Sequence, residues 1–235
     1  MWPFNRSVTL TDSGVFDGYT DWHSHILPGV DDGVQSMDEA LSILEHYGAM
    51  GVRRVWLTPH IMEDVPNTPA QLRERFRELR DSYRGPVELC LAAEHMLDSL
   101  FADRLAVGEL MPIGEEGNHL LVETSYFNPP VGMDAILDRI MSAGYYPLLA
   151  HPERYIYMDE SRYRQLHDRG VKFQINLPSL IGRYGTDARR KARWLLDRGY
   201  CHATGTDIHR PALLKALATH SVARNTITQI KTSKL

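Results

Sequence analysis

The chain of 235 residues predicts an α/β fold of parallel strands with crossover helices, closed into a barrel or a barrel-like sheet. Seven apolar runs of strand length recur along it, each followed by a loop and a helix-like stretch, which is the alternation that parallel strands require. No linker or low-complexity segment divides the chain, and barrels commonly use roughly 200 to 250 residues as one unit. An open doubly wound sheet shows the same alternation and is the alternative architecture.

The strand-like runs are Tyr19 to His23, Arg54 to Thr58, Val87 to Ala93, Leu120 to Thr124, Tyr146 to Ala150, Val171 to Asn176 and His202 to Gly205. The first helix starts at Ser36, with Glu39 three residues on as a capping box, and runs to about Gly51. The second opens on Thr68-Pro69, a cap followed by a proline suited to the first helical position. Further helical patterns cover about Leu97 to Val107, Gly132 to Ala143, Asp159 to Arg169, Asp187 to Arg198 and Ala212 to His220. Residues 1–18 read as an irregular N-terminal extension and residues 19–235 as a single domain, with Arg224 to Leu235 a closing segment with a loose end.

A net charge of -4 and a pI near 6.2 offer no general attraction to nucleic acid or to anionic membranes. Cys90 and Cys201 are too few for a disulfide framework, which fits a free-thiol cytoplasmic protein. The first ten residues lack the apolar core of a signal peptide, and no run approaches the roughly 18 apolar residues of a membrane span. The expectation is a soluble cytoplasmic protein without membrane insertion.

Six segments carry candidate metal ligands: Asp21-Trp22-His23-Ser24-His25, Asp31-Asp32-Gly33, Thr58-Pro59-His60, Ala93-Glu94, Ala150-His151-Pro152-Glu153-Arg154 and Thr206-Asp207-Ile208-His209. Alternate side chains of a strand share a face, so His23 and His25 point the same way and one cation can meet both. Asp207 and His209 repeat that spacing on the last strand. His60, Glu94, Glu123 and His151 each sit where an apolar run stops, which in a parallel barrel is the C-terminal rim where active sites form. A set of about five imidazoles and four carboxylates suits manganese, iron or zinc better than the all-oxygen shells of calcium or magnesium. Nine donors exceed the needs of one ion, and two or three cations can share them, with Glu94 as a bridge. Such a cluster lowers the pKa of bound water from about 15.7 to roughly 7 and attracts an anionic substrate.

In order and wording these segments resemble the bacterial PHP-domain protein-tyrosine phosphatases of capsule and exopolysaccharide loci, over most of residues 17–220. The run Asp-Trp-His-Ser-His-Ile-Leu-Pro-Gly-Val-Asp-Asp-Gly carries the most specific part of the likeness, followed by Thr-Pro-His, Ala-Ala-Glu, Leu-Val-Glu, Ala-His-Pro-Glu-Arg and Thr-Asp-Ile-His. The resemblance implies a distorted (β/α)7 TIM-like barrel of the PHP superfamily and a centre of three divalent transition-metal ions, manganese first, with iron or zinc as alternatives. It implies hydrolysis of phosphotyrosine by a metal-bound hydroxide, on a partner such as the tyrosine-rich tail of a bacterial tyrosine kinase that regulates capsular or exopolysaccharide synthesis. Carried over by position, the metal ligands fall on His23, His25, Asp32, His60, Glu94, Glu123, His151, Asp207 and His209, and a phosphate-contacting arginine falls on Arg154. The resemblance also implies a second phosphate contact at Arg210, although here Arg210-Pro211 follows His209 at once, whereas family members often place several residues between them.

An arginine fork pairs with two phosphate oxygens while metal ions hold the others, so no covalent phosphoenzyme is required. A cysteine phosphatase needs an arginine six positions after its nucleophile, and those positions hold Met96 and Asp207. The nearest rival is a PHP phosphoesterase acting on a small monoester such as histidinol phosphate, favoured by a deep lidded pocket; open access favours the tyrosine phosphatase. A metal-stabilised interaction module without turnover is the rival from another class. His46, His95, His119, His167, His202 and His220 read as packing or surface residues, with His95 turned away from Glu94 by strand alternation. The run Arg183 to Arg193 reads as a solvated helix face or as a steering patch for an acidic partner. Tyr126 to Pro130 is an aromatic, proline-rich loop that either borders a substrate ring or packs the rim.

Overall fold

The computed structural model describes residues 7–233 and 235. From the N-terminus, β1 (Ser7–Thr9) and β2 (Thr20–Ser24) precede α1 (Met37–Met50), and β3 (Arg54–Leu57) and β4 (His60–Ile61) precede α2 (Pro69–Ser82). Strands β5 (Glu88–Leu91) and β6 (Glu94–Met96) lead to α3 (Phe101–Val107), β7 (His119–Glu123) to α4 (Met133–Ser142), and β8 (Tyr146–Ala150) to a 3₁₀ turn at Pro152–Arg154 and α5 (Glu160–Asp168). Strand β9 (Lys172–Asn176) runs into the short α6 (Leu177–Leu180) and then α7 (Gly185–Asp197); β10 (Ala203–Gly205), α8 (Ala212–Thr219), β11 (Ser221–Ala223) and α9 (Arg224–Thr232) complete the order.

The parallel strands form one six-stranded sheet, β10-β9-β8-β7-β6-β4, and one three-stranded sheet, β2-β3-β5, with a two-stranded antiparallel pair β1-β11 beside them. Two of the expected strands are each followed by a further short strand that pairs in the other sheet. Arg54 to Thr58 pairs as β3 with β5, and after Pro59 the chain re-forms as β4 against β6; Val87 to Ala93 likewise ends as β5 and resumes as β6 at Glu94. Pro59 has no N–H to give a ladder, but its carbonyl accepts from Glu94 N–H at 3.0 Å, so the break still holds the two runs together. On the other side, Ser24 forms a parallel bridge with Ile208, and His25 N–H donates to Ile208 O at 3.1 Å. The observed fold is thus a mixed α/β structure with a curled parallel sheet that gathers the C-terminal strand ends.

Strand alternation divides the core. Leu120, Val122 and Leu149 face the helices, whereas Leu121, Leu148 and Ala150 pack with Trp56, Ala92, Ile113 and Ala203 on the concave side. Trp22 lies on Trp56 with near-parallel rings 6.1 Å apart, so two indoles floor the concavity beneath the candidate site.

The helix signals hold with two revisions, one of them that α3 starts at Phe101 and not at about Leu97. Ser36 accepts the Glu39 N–H at 3.3 Å, but the Glu39 carboxylate takes the Gln35 N–H instead of returning to Ser36, so only half of the capping box forms. The reciprocal box is at Thr68 and Gln71, where proline occupies the first turn. The N-terminal extension is also less irregular than expected: Ser7–Thr9 pairs in register with Ser221–Ala223, and the closing segment is helical over Arg224–Thr232. No helix among the described residues is long and apolar enough to cross a membrane.

A buried polar stitch registers the first parallel strand against the last. Asp21 accepts from Thr206 N–H at 2.8 Å, Thr206 Oγ at 2.7 Å and Tyr47 Oη at 2.7 Å, and all three residues are almost wholly buried. Burial raises the Asp21 carboxyl against these hydrogen bonds, which lower it. Tyr47→Phe leaves the buried carboxylate short of one donor and is expected to lower unfolding stability by about 1 to 3 kcal/mol, read by urea denaturation. A loss below about 0.5 kcal/mol, the level of an ordinary surface change, would show that the stitch is not under load.

Candidate metal centre

The nine residues converge on the end of the curled sheet where the parallel strands finish. His23, at the end of β2, and His25 just beyond it bring their Nε2 atoms to 3.0 Å of each other. A register shift between Asp21 and Ser24 interrupts regular pleating there, so Trp22 joins the apolar floor while His23 enters the site. Gly205 allows β10 to pass this close; a Cβ on it would collide with His23. Glu94 stands at the centre: Oε2 is 3.1 Å from His23 Nε2, 3.3 Å from His25 Nε2 and 3.2 Å from His60 Nδ1, while Oε1 is 3.0 Å from His151 Nε2. Glu123 Oε1 is 2.9 Å from His60 Nδ1, and Asp207 Oδ1 is 3.5 Å from His25 Nε2. Asp32, with a largely exposed side chain, places Oδ1 3.5 Å from His60 Nε2 and 3.4 Å from His209 Nε2.

Groups outside this set fix the imidazole tautomers. Gln174 Oε1 is only an acceptor, so at 2.8 Å it takes the proton of His23 Nδ1 and leaves the Nε2 lone pair facing the centre. Gln174 donates to Asn176 Oδ1 at 2.9 Å, and Asn176 donates to Asp207 Oδ2 at 2.7 Å, so one amide relay steadies ligands on two strands. Asp31, buried behind the centre, takes His25 Nδ1 at 2.8 Å and the His60 N–H at 3.1 Å. His209 Nδ1 donates to Asp207 O at 2.9 Å. Gln174, Asn176 and the orienting role of Asp31 are absent from the sequence reading. Gln174 and Asn176 sit inside an apolar run, and two polar side chains within a buried strand are the signal that points to them.

Two non-glycine residues have positive φ among the described residues, His151 at 32° and Asp207 at 51°, and both are candidate ligands. Plain alternation after Ala150 would send His151 toward the helices with Leu149. The left-handed backbone turns it back to Glu94, local strain held in place by the surrounding packing.

The donor set passes a direct test for cations. His60 Nδ1, Glu94 Oε1 and Glu123 Oε1 are buried and close to one another or to His151, yet none has a properly aligned hydrogen bond. Imidazole nitrogens and carboxylate oxygens turned inward and left without a hydrogen-bond partner are what a positive ion satisfies. Four groups have ligand atoms that all lie within 4.8 Å of one another: His25, Asp32, His60 and His209; His23, His25 and Asp207; His23, Glu94 and His151; and His60, Glu94 and Glu123. Together these include every predicted ligand. In the cation-free chain, burial disfavours the charged imidazole of His23, but Glu94 and Asp207 overcome it and raise its pKa to about 9. Burial also opposes the Glu94 carboxylate, and the imidazoles of His23, His60 and His151 nevertheless hold its pKa well below the usual range.

Arg154 borders the centre from the 3₁₀ turn. Its guanidinium lies between two phenol rings, 4.3 Å from the centre of Tyr126 and 4.1 Å from that of Tyr184, and Nη1 donates to Asp207 Oδ2 at 2.8 Å. Both faces are covered, so the remaining N–H groups are directed edgewise. Arg210 is anchored through Nη1 to the carbonyls of Asp32, Gly33 and His209 and reaches the same cavity despite its position directly after His209. The cavity, about 380 Å³, is lined by Arg154, Arg183, Arg210, Tyr126 and Tyr184 together with six of the nine candidate ligands: Asp32, His60, Glu94, His151, Asp207 and His209. A larger cavity of about 630 Å³ lies at the opposite strand ends, around Trp22 and Lys172, and contains none of these groups.

The unpromoted histidines pack elsewhere. His95 is buried and turned from the centre, its Nε2 accepting Met111 N–H at 3.2 Å, and desolvation lowers its pKa to about 3. His119 meets Lys172 at 2.7 Å and His167 stacks on Tyr200 at 4.0 Å. Neither cysteine is an activated nucleophile; burial pushes the Cys201 thiol up to about 12.

Comparison with known proteins agrees with this architecture. A family model described as capsular polysaccharide synthesis, CpsB/CapC, matches residues 19–223. The chain is 30% identical over 202 residues to the tyrosine-protein phosphatase CpsB of Streptococcus pneumoniae, covering 80% of this chain and 82% of that protein. It is 27% identical over 207 residues to the putative tyrosine-protein phosphatase CapC of Staphylococcus aureus, covering 84% and 81%. A solved chain from the crystal structures of YwqE from Bacillus subtilis and CpsB from Streptococcus pneumoniae, described as unique metal-dependent tyrosine phosphatases, superposes with a TM-score of 0.75 at 26% identity, over 82% of this chain and 80% of that one. An inactive dihydroorotase-like domain from Chaetomium thermophilum shares the fold at a TM-score of 0.56 and 13% identity. With the family model spanning most of its length, the chain belongs to the CpsB/CapC family of capsular polysaccharide synthesis.

Proposed function

We propose that this chain is a metal-dependent protein-tyrosine phosphatase acting in capsular or exopolysaccharide synthesis, with a bacterial tyrosine kinase as its phosphoprotein partner. The observation that carries the reading is the joining of a nine-donor cation centre to a stacked arginine in one cavity. The names of the relatives support the same activity. We read residues 19–235 as one PHP phosphatase domain and the strand runs as a distorted (β/α)7 barrel, supported by the bridge between Ser24 and Ile208.

His23, His25, Asp32, His60, Glu94, Glu123, His151, Asp207 and His209 would hold three divalent ions, with manganese favoured by the mixed nitrogen and oxygen donors. When bound, such ions supply Lewis-acid charge and a water acidic enough to attack phosphorus near neutral pH. Arg154 presents an edgewise fork for two phosphoryl oxygens, held in place by Tyr126 and Tyr184, and Arg210 adds a second cation to the same cavity. Asp31 and Gln174 keep the Nδ1 protons of His25 and His23 away from the centre. The phenolic leaving group, with a pKa near 10, needs little help from a general acid. The open mouth, where Asp32 is 71% exposed, favours a tyrosine on a protein segment over an enclosed small monoester.

Manganese-loaded protein is expected to release phosphate from p-nitrophenyl phosphate and phosphotyrosine peptides; turnover of histidinol phosphate alone would transfer the site to the small-molecule reading. Loading the chelator-treated protein at neutral pH is expected to expel protons. A histidine whose pKa is raised to about 9 is mostly protonated there and must become neutral to bind a cation. Calorimetric titrations in two buffers of different ionisation enthalpy read that release, and identical heats in both would contradict the protonated His23. Without a cation, the ionic contribution of His23 to stability is present below the unfolded value of about 6.5 and disappears as pH rises through about 9.

A further inference from the structure

Tyr126 and Tyr184 flank Arg154 at the cavity. Tyr126 covers one face of its guanidinium, and beside Tyr126 lie Phe127, 67% exposed, and Ile156, 64% exposed, drawn in by the bond from Ile156 N–H to Tyr126 O at 2.9 Å. Tyr184 covers the other face, and beside it stands Arg183, exposed in the connection between α6 and α7. Arg183 makes no ion pair among the described residues. Arg210, which lines the same cavity, contacts only backbone carbonyls, so neither charge is neutralised by a carboxylate. Arg190, farther along α7, differs: it is paired with Asp187 at 2.9 Å and Glu160 at 3.9 Å.

We propose that Arg183 is a specificity-determining residue that selects phosphotyrosines flanked by glutamate or aspartate in the substrate protein. The inference rests on the phosphatase reading and deepens it. A phosphoryl group drawn to Arg154 leaves the adjoining main chain at the mouth, where Arg183 offers an uncompensated guanidinium. An acidic neighbour gains attraction at Arg183; a basic neighbour meets like charge.

The test compares kcat/KM of metal-loaded protein on a phosphotyrosine peptide with glutamates on both flanks and on the same peptide with glycines. The glutamate peptide is expected to be favoured about five-fold at low salt, the value of a surface ion pair. The preference should collapse at about 1 M salt, where the screening length is about 3 Å. Arg183→Glu should bring the ratio to one or below, whereas Arg190→Glu, the same charge change outside the cavity, should preserve it. Fluorescence anisotropy of non-hydrolysable phosphonate analogues reads the same ratio without turnover. Equal use of the two peptides by the unaltered protein, or a preference that survives Arg183→Glu, would overturn the proposal. Failure to turn over p-nitrophenyl phosphate while the binding preference persists would strike the phosphatase reading and leave Arg183 as a selector of acidic phosphopeptides.

Discussion

Glu94→Gln is expected to lower kcat/KM on p-nitrophenyl phosphate by about 10³-fold or more, the scale on which loss of a principal charge stabiliser acts. Glu94 is fully buried and has four imidazoles within 3.3 Å of its two oxygens, so no other carboxylate is placed to substitute for it. Glutamine preserves the volume but replaces one oxygen with an amide N–H₂, whose protons face a place built for a cation. Metal content, measured by elemental analysis after desalting, is expected to fall with activity while far-ultraviolet circular dichroism stays unchanged. A folded variant with its full metal complement and activity within about tenfold of the unaltered protein would contradict the central place given to Glu94.

Arg154→Lys separates phosphate recognition from metal binding. The guanidinium is flat and fits between the Tyr126 and Tyr184 rings while it donates to Asp207; an ammonium has neither the plane nor the fork. A fall in kcat/KM of about 10²- to 10³-fold is expected, the magnitude associated with a charge-stabilising donor at a reacting oxyanion. Metal content should be retained, which distinguishes this defect from that of Glu94→Gln. A lysine variant with more than about one third of the activity would show that Arg154 acts as a general positive charge and not as an oriented fork.

Most candidate ligands were legible because, Asp32 apart, they sit at a strand end or just past one, and strand spacing paired His23 with His25. Asp207 and His209 lie beyond β10, which ends at Gly205, and the left-handed backbone of Asp207, not strand alternation, brings them to the centre. Asp32 was separable from Asp31 only by resemblance. In the structure Asp31 turns inward to His25 Nδ1 and Asp32 outward toward His60 and His209, a choice set by the loop around Gly33. The sandwich around Arg154 left no local trace. Tyr126 and Tyr184 lie 58 positions apart, and each reads in isolation as an ordinary loop or helix-cap residue.

Boundaries blurred where tertiary contacts compete with local preference. The expected strands stop at Thr58 and Ala93, and the short β4 and β6 that follow them pair with each other in the other sheet, a pairing without a local signal. Regular alternation also misdirects His151, because nothing in the sequence announces a left-handed histidine. By itself the sequence determined the alternating α/β plan, the helix starts at Ser36 and Thr68 and the ligand types, all governed by short-range periodicity and side-chain chemistry. Only the tertiary structure decided the imidazole tautomers, the strained turn at His151, the stacking of Arg154 and the uncompensated charge of Arg183 at the cavity, because each depends on groups brought together from distant segments.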